Sequence, residues 1–171
     1  MNDVMIDLET LGLSVDSVII QIAAVRFDRH TGDIGDYLHM SLSWSSQQSR
    51  KVDMSTIEWW MNQDKNASKD LLSGTIKLST ALKELSSFIE EDDRVWGNGS
   101  SFDISMLNHA FGEEETPWKY WNVRDVRTVM DLAKVDVRDI PFKGQPHNAK
   151  DDCLHQINYL SKAIKGILPH G

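Results

Sequence analysis

The sequence predicts an α/β fold in which a mixed sheet is covered by helices, and two observations support this prediction. The first third of the chain contains three strand-like runs separated by turn residues, and the rest alternates helical periodicity with short apolar runs. A meander of antiparallel strands followed by such alternation is typical of a sheet with helices on its faces. With 171 residues, 40% of them hydrophobic, and no Pro-, Gly- or Ser-rich linker, we expect one domain over residues 1–171.

The first three elements are predicted strands. Val4–Thr10 precedes a turn around Gly12, and Val18–Phe27 is a long run rich in β-branched residues. The segment His30-Thr31-Gly32-Asp33 has the composition of a hairpin turn, and a weaker alternation predicts a third strand over Tyr37–Trp44. This order predicts an antiparallel meander.

In the second part of the chain, the spacing of the apolar residues alternates between a helical and a strand-like period. A capping-box pattern, Ser55-Thr56-Ile57-Glu58, predicts the start of a helix that carries Trp59, Trp60 and Met61. The remaining predicted elements are a helix from about Ser79, a strand from Arg94, a helix from about Ser101, a strand over Trp121–Val123, a helix over Val126–Ala133 and a last helix from about Asn148.

Two carboxylates stand in the first predicted strand. Because side chains alternate along a strand, Asp7 and Glu9 point to one face while Val4, Ile6 and Leu8 point to the other. Desolvation and mutual repulsion both oppose ionisation of two carboxyls on a half-buried strand. A divalent metal between them removes this penalty, and the pair therefore predicts a metal site.

A third carboxylate, Asp103, follows the strand that begins at Arg94 by a Gly-Asn-Gly-Ser-Ser turn. This position lies near the carboxyl edge of the sheet, where open α/β sheets bind ligands. An aspartate in the first turn of a helix also complements the helix dipole. The residue alone leaves both interpretations open.

Two adjacent aspartates begin the last predicted helix. Its apolar stripe runs through Ala149, Cys153 and Ile157, and at roughly 100° per residue Asp152 borders the stripe while Asp151 points to solvent. An aspartate beside a buried stripe can be a ligand, a cap or an ion-pair partner.

His147 precedes that helix, in a loop where Gly144 and Pro146 disfavour regular structure. Because imidazole titrates near neutral pH, a histidine here can take a proton from water under physiological conditions. A surface-loop histidine is the alternative interpretation, and only geometry can separate the two.

Three segments resemble, in order and spacing, the exonuclease motifs of the DEDDh 3′→5′ exonucleases of the ribonuclease H-like superfamily. They are Ile6–Thr10, Trp96–Asp103 and the ending His147-x-x-x-x-Asp152. The Ser55–Trp60 segment and the compact size are most similar to the phage and bacterial branch that includes the Rv2179c-like exoribonucleases. The resemblance implies a ribonuclease H-like mixed sheet and a single 3′-5′ exonuclease domain.

The same resemblance implies chemical roles. Asp7, Glu9, Asp103 and Asp152 would hold two divalent cations, Mg²⁺ or Mn²⁺, through hard oxygen ligands. His147 would be the general base that deprotonates the attacking water. The reaction would be a two-metal hydrolysis of the phosphodiester next to a free 3′ end. It would release nucleoside 5′-monophosphates from single-stranded DNA or RNA, with DNA slightly favoured.

Substrate contacts are also implied. By similarity, the backbone at Thr10 and the side chain of Leu11 would pack on the terminal sugar and base, and Asn98 or Phe102 would line the pocket. Trp59 and Trp60 point roughly 100° apart on a helix, so one of them, Trp59 in our assignment, can stack on a base. The alternative is one tryptophan in the core and one half-covered or at a subunit contact, which would allow a homodimer.

Composition limits the remaining function classes. Cys153 is the only cysteine, which excludes an intrachain disulfide framework and a thiolate metal cluster. The chain has neither a basic-then-apolar N-terminus nor a run of apolar residues long enough for a membrane span, so we expect a cytoplasmic protein with no membrane partner.

The net charge of −8 at first argues against a phosphate-rich partner. Between Lys119 and Lys150, however, seven Lys and Arg residues stand against four Asp, which is compatible with one phosphate-tolerant face. Two other hypotheses are a non-catalytic nucleic-acid-binding subunit, which predicts gaps among the acidic positions, and a metal phosphohydrolase of small nucleotides, which needs no groove for a polymer.

Overall fold

The computed structural model describes residues 1–63, 69 and 73–167. Single turns of 3-10 helix occur at Trp44–Ser46, Tyr120–Asn122 and Val137–Asp139. The longer elements are, in chain order, β1 (Asp3–Thr10), β2 (Ile19–Phe27), β3 (Ile34–Ser41), α1 (Met54–Met61), α2 (Leu78–Phe88), β4 (Arg94–Gly97), α3 (Asp103–Phe111), β5 (Val123–Asp125), α4 (Val126–Ala133) and α5 (Ala149–Ile167).

The five strands form one mixed sheet in the order β3-β2-β1-β4-β5. The first three are antiparallel neighbours, whereas β4 runs parallel to both β1 and β5. The predicted meander and mixed α/β sheet are therefore confirmed. Because β1 and β4 are parallel neighbours, their carboxyl ends meet at the same edge of the sheet.

The two faces of the sheet have separate apolar cores. Val4, Ile6 and Leu8 of β1 pack with residues of α2 and α3 on one face. Met5 lies on the other face, where it packs with residues of α4 and α5, including the buried Cys153. The predicted alternation of β1 is confirmed, and it directs the odd-numbered side chains toward α5.

Two predicted strands were shifted along the chain. The third strand is Ile34–Ser41, because the Asp28 carboxylate accepts hydrogen bonds from the backbone amides of His30 and Thr31 and closes the turn early. The prediction that it extends to Trp44 was wrong. The strand predicted over Trp121–Val123 is instead Val123–Asp125, and Trp121 stands outside the ladder with 59% of its surface exposed.

The predicted helices were correct to within about two residues at their starts, apart from the cap of α1. Asp53, not Ser55, is the N-cap, and its side chain accepts a hydrogen bond from the backbone amide of Ser55. No helix in the described part of the chain combines the length and apolar character that spanning a bilayer requires.

Candidate active site

The edge of the sheet where β1 ends carries the first two carboxylates. Asp7 and Glu9 lie on the face covered by α5, opposite Ala23 and Gln21 of β2. Neither side chain is fully buried. Oε1 of Gln21 accepts a hydrogen bond of 3.1 Å from the backbone amide of Ala149, at the start of α5.

Asp103 reaches this edge from β4. A tight turn after Gly97 leads into α3, whose first residue is Asp103. Its side chain is buried, and Oδ1 accepts a hydrogen bond of 3.2 Å from the backbone amide of Leu8, between the two β1 carboxylates. The turn is held against β5, because the amide of Ser100 donates to Oδ2 of Asp125 at 2.7 Å.

Asp152 completes the cluster from the first turn of α5. Ligand atoms of Glu9, His147 and Asp152 all lie within 4.8 Å of one another. The charges of Asp103, Glu9 and Asp152 all act on Asp7. The structure thus brings the four predicted carboxylates and the predicted histidine together at one edge of the sheet.

His147 has a left-handed backbone, with φ of +62°, and a half-buried ring. The ring packs edge to face against Trp59, with centroids 4.7 Å apart, and against Trp60, with centroids 6.1 Å apart. Burial lowers the pKa of His147 below its usual value, which favours the neutral imidazole at neutral pH. A neutral ring can accept a proton or donate a lone pair to a metal.

The four carboxyls resist ionisation. Burial raises the pKa of Asp7 well above its usual value, that of Glu9 to about 8, that of Asp103 to about 7 and that of Asp152 to about 6. For Asp7 and Glu9, the neighbouring carboxylates raise the pKa further. A cation among the carboxylates offsets both causes, and a set of carboxylate oxygens suits Mg²⁺ or Mn²⁺.

Two neighbours of the cluster were not predicted from the sequence. Gln156 donates a hydrogen bond of 2.7 Å from Nε2 to Oδ1 of Asp7. It follows Asp152 by one helical turn, and that spacing is the signal that could have identified it. Arg127, an exposed residue of α4, lies against Gly99, and its charge lowers the pKa of Asp103.

The prediction that Asp151 points to solvent was wrong. Asp151 is half-buried, and its Oδ2 accepts a hydrogen bond of 2.8 Å from the backbone amide of Gln145. The helical wheel placed Asp151 away from the apolar stripe of α5, but the loop before the helix folds back over that side.

A cavity of about 440 Å³ opens beside the cluster. Its lining includes three predicted substrate-binding residues, Thr10, Trp59 and Phe102. Leu11 and Asn98 are not among the lining residues. Leu11 is 2% exposed and packs behind the cavity in an apolar cluster. Four further lining residues, Leu8, Leu13, Ser55 and Thr56, were not predicted from the sequence as substrate contacts, and Trp60, which also lines the cavity, was predicted to lie either against a base or in the core.

The two tryptophans of α1 have different environments. Trp60 is 2% exposed, and its Nε1 donates a hydrogen bond of 3.0 Å to the backbone oxygen of Thr10. Trp59 is 42% exposed and contacts both the cavity and the His147 ring. One tryptophan therefore belongs to the core and braces the end of β1, and the other stands at the mouth of the site.

Residues 2–164 match the family described as the 3′-5′ exoribonuclease Rv2179c-like domain. Among curated proteins, the exodeoxyribonuclease of Enterobacteria phage T4 is 25% identical over 205 residues, covering 96% of this chain and 90% of the phage protein.

Several solved structures have the same fold. The nuclease domain of 3′hExo, a DEDDh family member bound to rAMP, is 14% identical with a TM-score of 0.66, covering 95% of this chain and 91% of that one. Pop2p of S. pombe, in its Mg²⁺- and Mn²⁺-bound form, is 16% identical with a TM-score of 0.69, covering 98% of this chain and 86% of Pop2p. E. coli Exonuclease I, in complex with a dT13 oligonucleotide, is 14% identical with a TM-score of 0.64, covering 96% of this chain and 40% of Exonuclease I. These likenesses confirm the ribonuclease H-like mixed sheet.

Proposed function

This chain belongs to the family of Rv2179c-like 3′-5′ exoribonuclease domains and is a 3′-5′ exonuclease, and from that premise we propose its catalytic residues, its cations and its substrate. The proposal is a metal-dependent hydrolysis that removes nucleoside 5′-monophosphates from single-stranded 3′ ends. The observation that carries it is the meeting of Glu9, His147 and Asp152 within 4.8 Å, beside Asp7 and Asp103.

Asp7, Glu9, Asp103 and Asp152 would hold the cations. Their raised pKa values are the structural reason, because oxygens that are crowded and desolvated are stabilised by a cation more than exposed ones are. Two divalent ions, when bound, would supply Lewis-acid activation of the attacking water and charge stabilisation of the departing 3′ oxygen. The Mg²⁺ and Mn²⁺ bound to Pop2p, a protein of the same fold, support this choice of ions.

His147 is the proposed general base. Its ring is close to Glu9 and Asp152, and burial lowers its pKa and so favours the neutral form, which can accept a proton from the attacking water. The edge-to-face contact with Trp59 restricts the plane of the ring. The proton would leave through the open mouth of the site, because the ring is only partly buried.

The cavity would hold the terminal nucleotide. Its size falls in the range of small-ligand sites, and Thr10, Trp59 and Phe102 give it polar and aromatic groups beside the carboxylates. Leu11 would act from behind, by fixing Trp60 and the end of β1, and Asn98 would approach from the turn that leads to Asp103. Aromatic stacking without reading of base edges predicts little sequence preference.

DNA is the proposed preferred substrate. The phage T4 relative, which this chain matches over 90% of its length, is an exodeoxyribonuclease, and E. coli Exonuclease I was solved with dT13. The family description, exoribonuclease, and the rAMP bound to 3′hExo point to RNA. The sugar is therefore the first variable to test.

The test uses matched single-stranded DNA and RNA oligomers, labelled at either end, with Mn²⁺ and with chelator. We expect Mn²⁺-dependent shortening from the 3′ end, release of 5′-monophosphates and a higher kcat/KM on DNA. Faster release of phosphate from free mononucleotides than of nucleotides from oligomers would favour the small-nucleotide phosphohydrolase instead. Binding of oligomers with no cleavage in any metal would favour the non-catalytic subunit.

A further inference from the structure

The loop that carries His147 has an unusual backbone. Gly144 has φ of +109° and His147 has φ of +62°, both in the left-handed region that L-amino acids rarely adopt. A histidine keeps such a conformation only when its surroundings hold it. Pro146 has no backbone N–H, so the loop has few donors with which to hold itself.

Asp151 supplies the missing partner. From the first turn of α5, its Oδ2 accepts a hydrogen bond of 2.8 Å from the backbone amide of Gln145. The same carboxylate covers the α-carbon of Gly144 so closely that a Cβ there would lie 2.6 Å from Oδ2. The backbone amide of Asp151 is itself fixed, because it donates to Oδ1 of Asn148 at 3.3 Å. The loop is thus fastened to the helix on both sides of His147.

A second interaction in the same loop does not replace this one. The backbone of His147 faces the carboxylate of Asp152 and lowers the pKa of that group. Asp152, however, is a proposed cation ligand, and a carboxylate that binds a cation holds an amide less firmly. Asp151 is the carboxylate of the pair that stays available to the loop.

We propose that Asp151 is a positioning residue, whose carboxylate fixes the Gly144–His147 loop and thereby places the imidazole of His147 against Glu9 and Asp152. This inference rests on the proposed function, because it assumes that His147 takes part in the reaction. It differs from the simpler interpretation of an aspartate in a first helical turn, which acts through its charge on the helix dipole.

A double-mutant cycle tests this role. We would measure kcat and KM on a labelled oligomer, Mn²⁺ affinity by calorimetry and thermal unfolding for Asp151→Ala, His147→Ala and the double variant. If Asp151 acts through His147, Asp151→Ala lowers kcat by up to about 100-fold, with little change in KM or Mn²⁺ affinity. The double variant is then no slower than His147→Ala alone, since effects through one group do not add.

Two further variants identify the interaction. Asp151→Asn keeps an oxygen that can accept from Gln145 but loses the charge, so it retains most of the kcat if the hydrogen bond matters and behaves like Asp151→Ala if the dipole matters. Asp139→Ala, an exposed change in the 3-10 turn that precedes this loop, serves as the control and leaves kcat unchanged.

The kinetic results distinguish failure of the proposed general base from failure of the proposed role of Asp151. If His147→Ala keeps the parental kcat, the proposed general base and the role of Asp151 both fail. If His147→Ala lowers kcat but Asp151→Ala does not, only the role of Asp151 fails. The same conclusion follows if both variants lower kcat and the double variant shows the product of the two reductions. Should Asp151→Ala not fold, Gly144→Ala decides, because its new Cβ displaces the loop from an intact Asp151. A normal kcat in that variant overturns the inference.

Discussion

The side-chain amide of Gln156 donates a hydrogen bond of 2.7 Å from Nε2 to Oδ1 of Asp7, and so joins α5 to the first carboxylate of β1. The bond lowers the pKa of Asp7 against the larger and opposite effect of desolvation. Within the described residues, Oε1 of Gln156 is buried without a hydrogen-bond partner. The Gln156 side chain is therefore held by the bond from Nε2 to Asp7, and Oε1 adds no hydrogen bond within the described residues.

Gln156→Leu is expected to weaken Mn²⁺ binding by about 10-fold or more, because partners behind a metal ligand orient it and favour its ionised form. Stability should change little, since the substitution also removes the unpaired Oε1. Calorimetric titration with Mn²⁺ and thermal melts measure the two effects. An unchanged dissociation constant would show that Asp7 needs no support from α5.

The metal-free protein is expected to lose stability as pH rises. Folding raises the pKa of Glu9 from 4.5 to about 8 and that of Asp103 from 3.8 to about 7. Because the folded state binds these protons more tightly than the unfolded chain, their contribution to the free energy of unfolding is full below about pH 4 and falls as pH rises through the folded-state values.

Thermal melts in chelator, from about pH 5 to about pH 8, measure this loss. Saturating Mn²⁺ should restore stability most at the high end of the range, where protons compete least for the carboxylates. Glu9→Gln removes one titrating group and should flatten the metal-free profile. A parental melting temperature that rises with pH in chelator would contradict the raised pKa values.

Asp7→Ala is expected to remove nearly all nuclease activity while the protein stays folded. Desolvation and the charges of Asp103, Glu9 and Asp152 raise the pKa of Asp7, so this carboxyl disfavours folding at neutral pH, and its removal should raise the metal-free melting temperature. Asp131→Ala, an exposed change on α4, is the matched control for both measurements. Equal rates of cleavage by Asp7→Ala and the parent would remove Asp7 from the site.

His147→Ala separates a base from a ligand. As a general base, His147 contributes about 10²- to 10⁴-fold to kcat and nothing to cation affinity. The variant should therefore cleave slowly and bind Mn²⁺ with the parental affinity. A ring nitrogen of His147 and carboxylate oxygens of Glu9 and Asp152 lie within 4.8 Å of one another, so the three could share one cation. Loss of Mn²⁺ binding in calorimetry would therefore make His147 a metal ligand instead of a base. His30→Ala, in the exposed hairpin turn, is the control.

The sequence predicted those parts of the site that depend on local geometry. The shared face of Asp7 and Glu9 follows from the alternation of a strand, and the position of Asp103 follows from the turn after β4. These positions depend only on the periodicity of one element and its place in the sheet, and the structure has the side chains where the sequence predicted them.

The parts that were missed depend on how distant segments meet. A helical wheel for α5 contains no information about the preceding loop, so it could not show Gln145 reaching the Asp151 carboxylate. Likewise, Leu11 is adjacent to Thr10 in sequence, yet it packs behind the cavity because α1 brings Trp60 against it. Contacts of this kind are decided by tertiary packing, which one sequence does not reveal.

Trp59 is expected to control substrate binding more than folding. It is 42% exposed and stands between the cavity and the His147 ring, whereas its neighbour Trp60 fills the core. Stacking of one base on an aromatic ring is worth about 1–3 kcal/mol, so Trp59→Ala should raise KM for oligomers by about 5- to 150-fold.

The variants of Trp59 also separate stacking from support of the histidine. Trp59→Phe keeps an aromatic face and should recover part of the lost affinity, while a loss of kcat in both variants would report a displaced His147 ring. Trp121→Ala is the control, because Trp121 is also exposed but precedes β5, at the end of the sheet away from Asp103. Initial rates over a range of oligomer concentrations give both constants. If KM changes equally in Trp59→Ala and Trp121→Ala, the nucleotide does not stack at the mouth of this cavity.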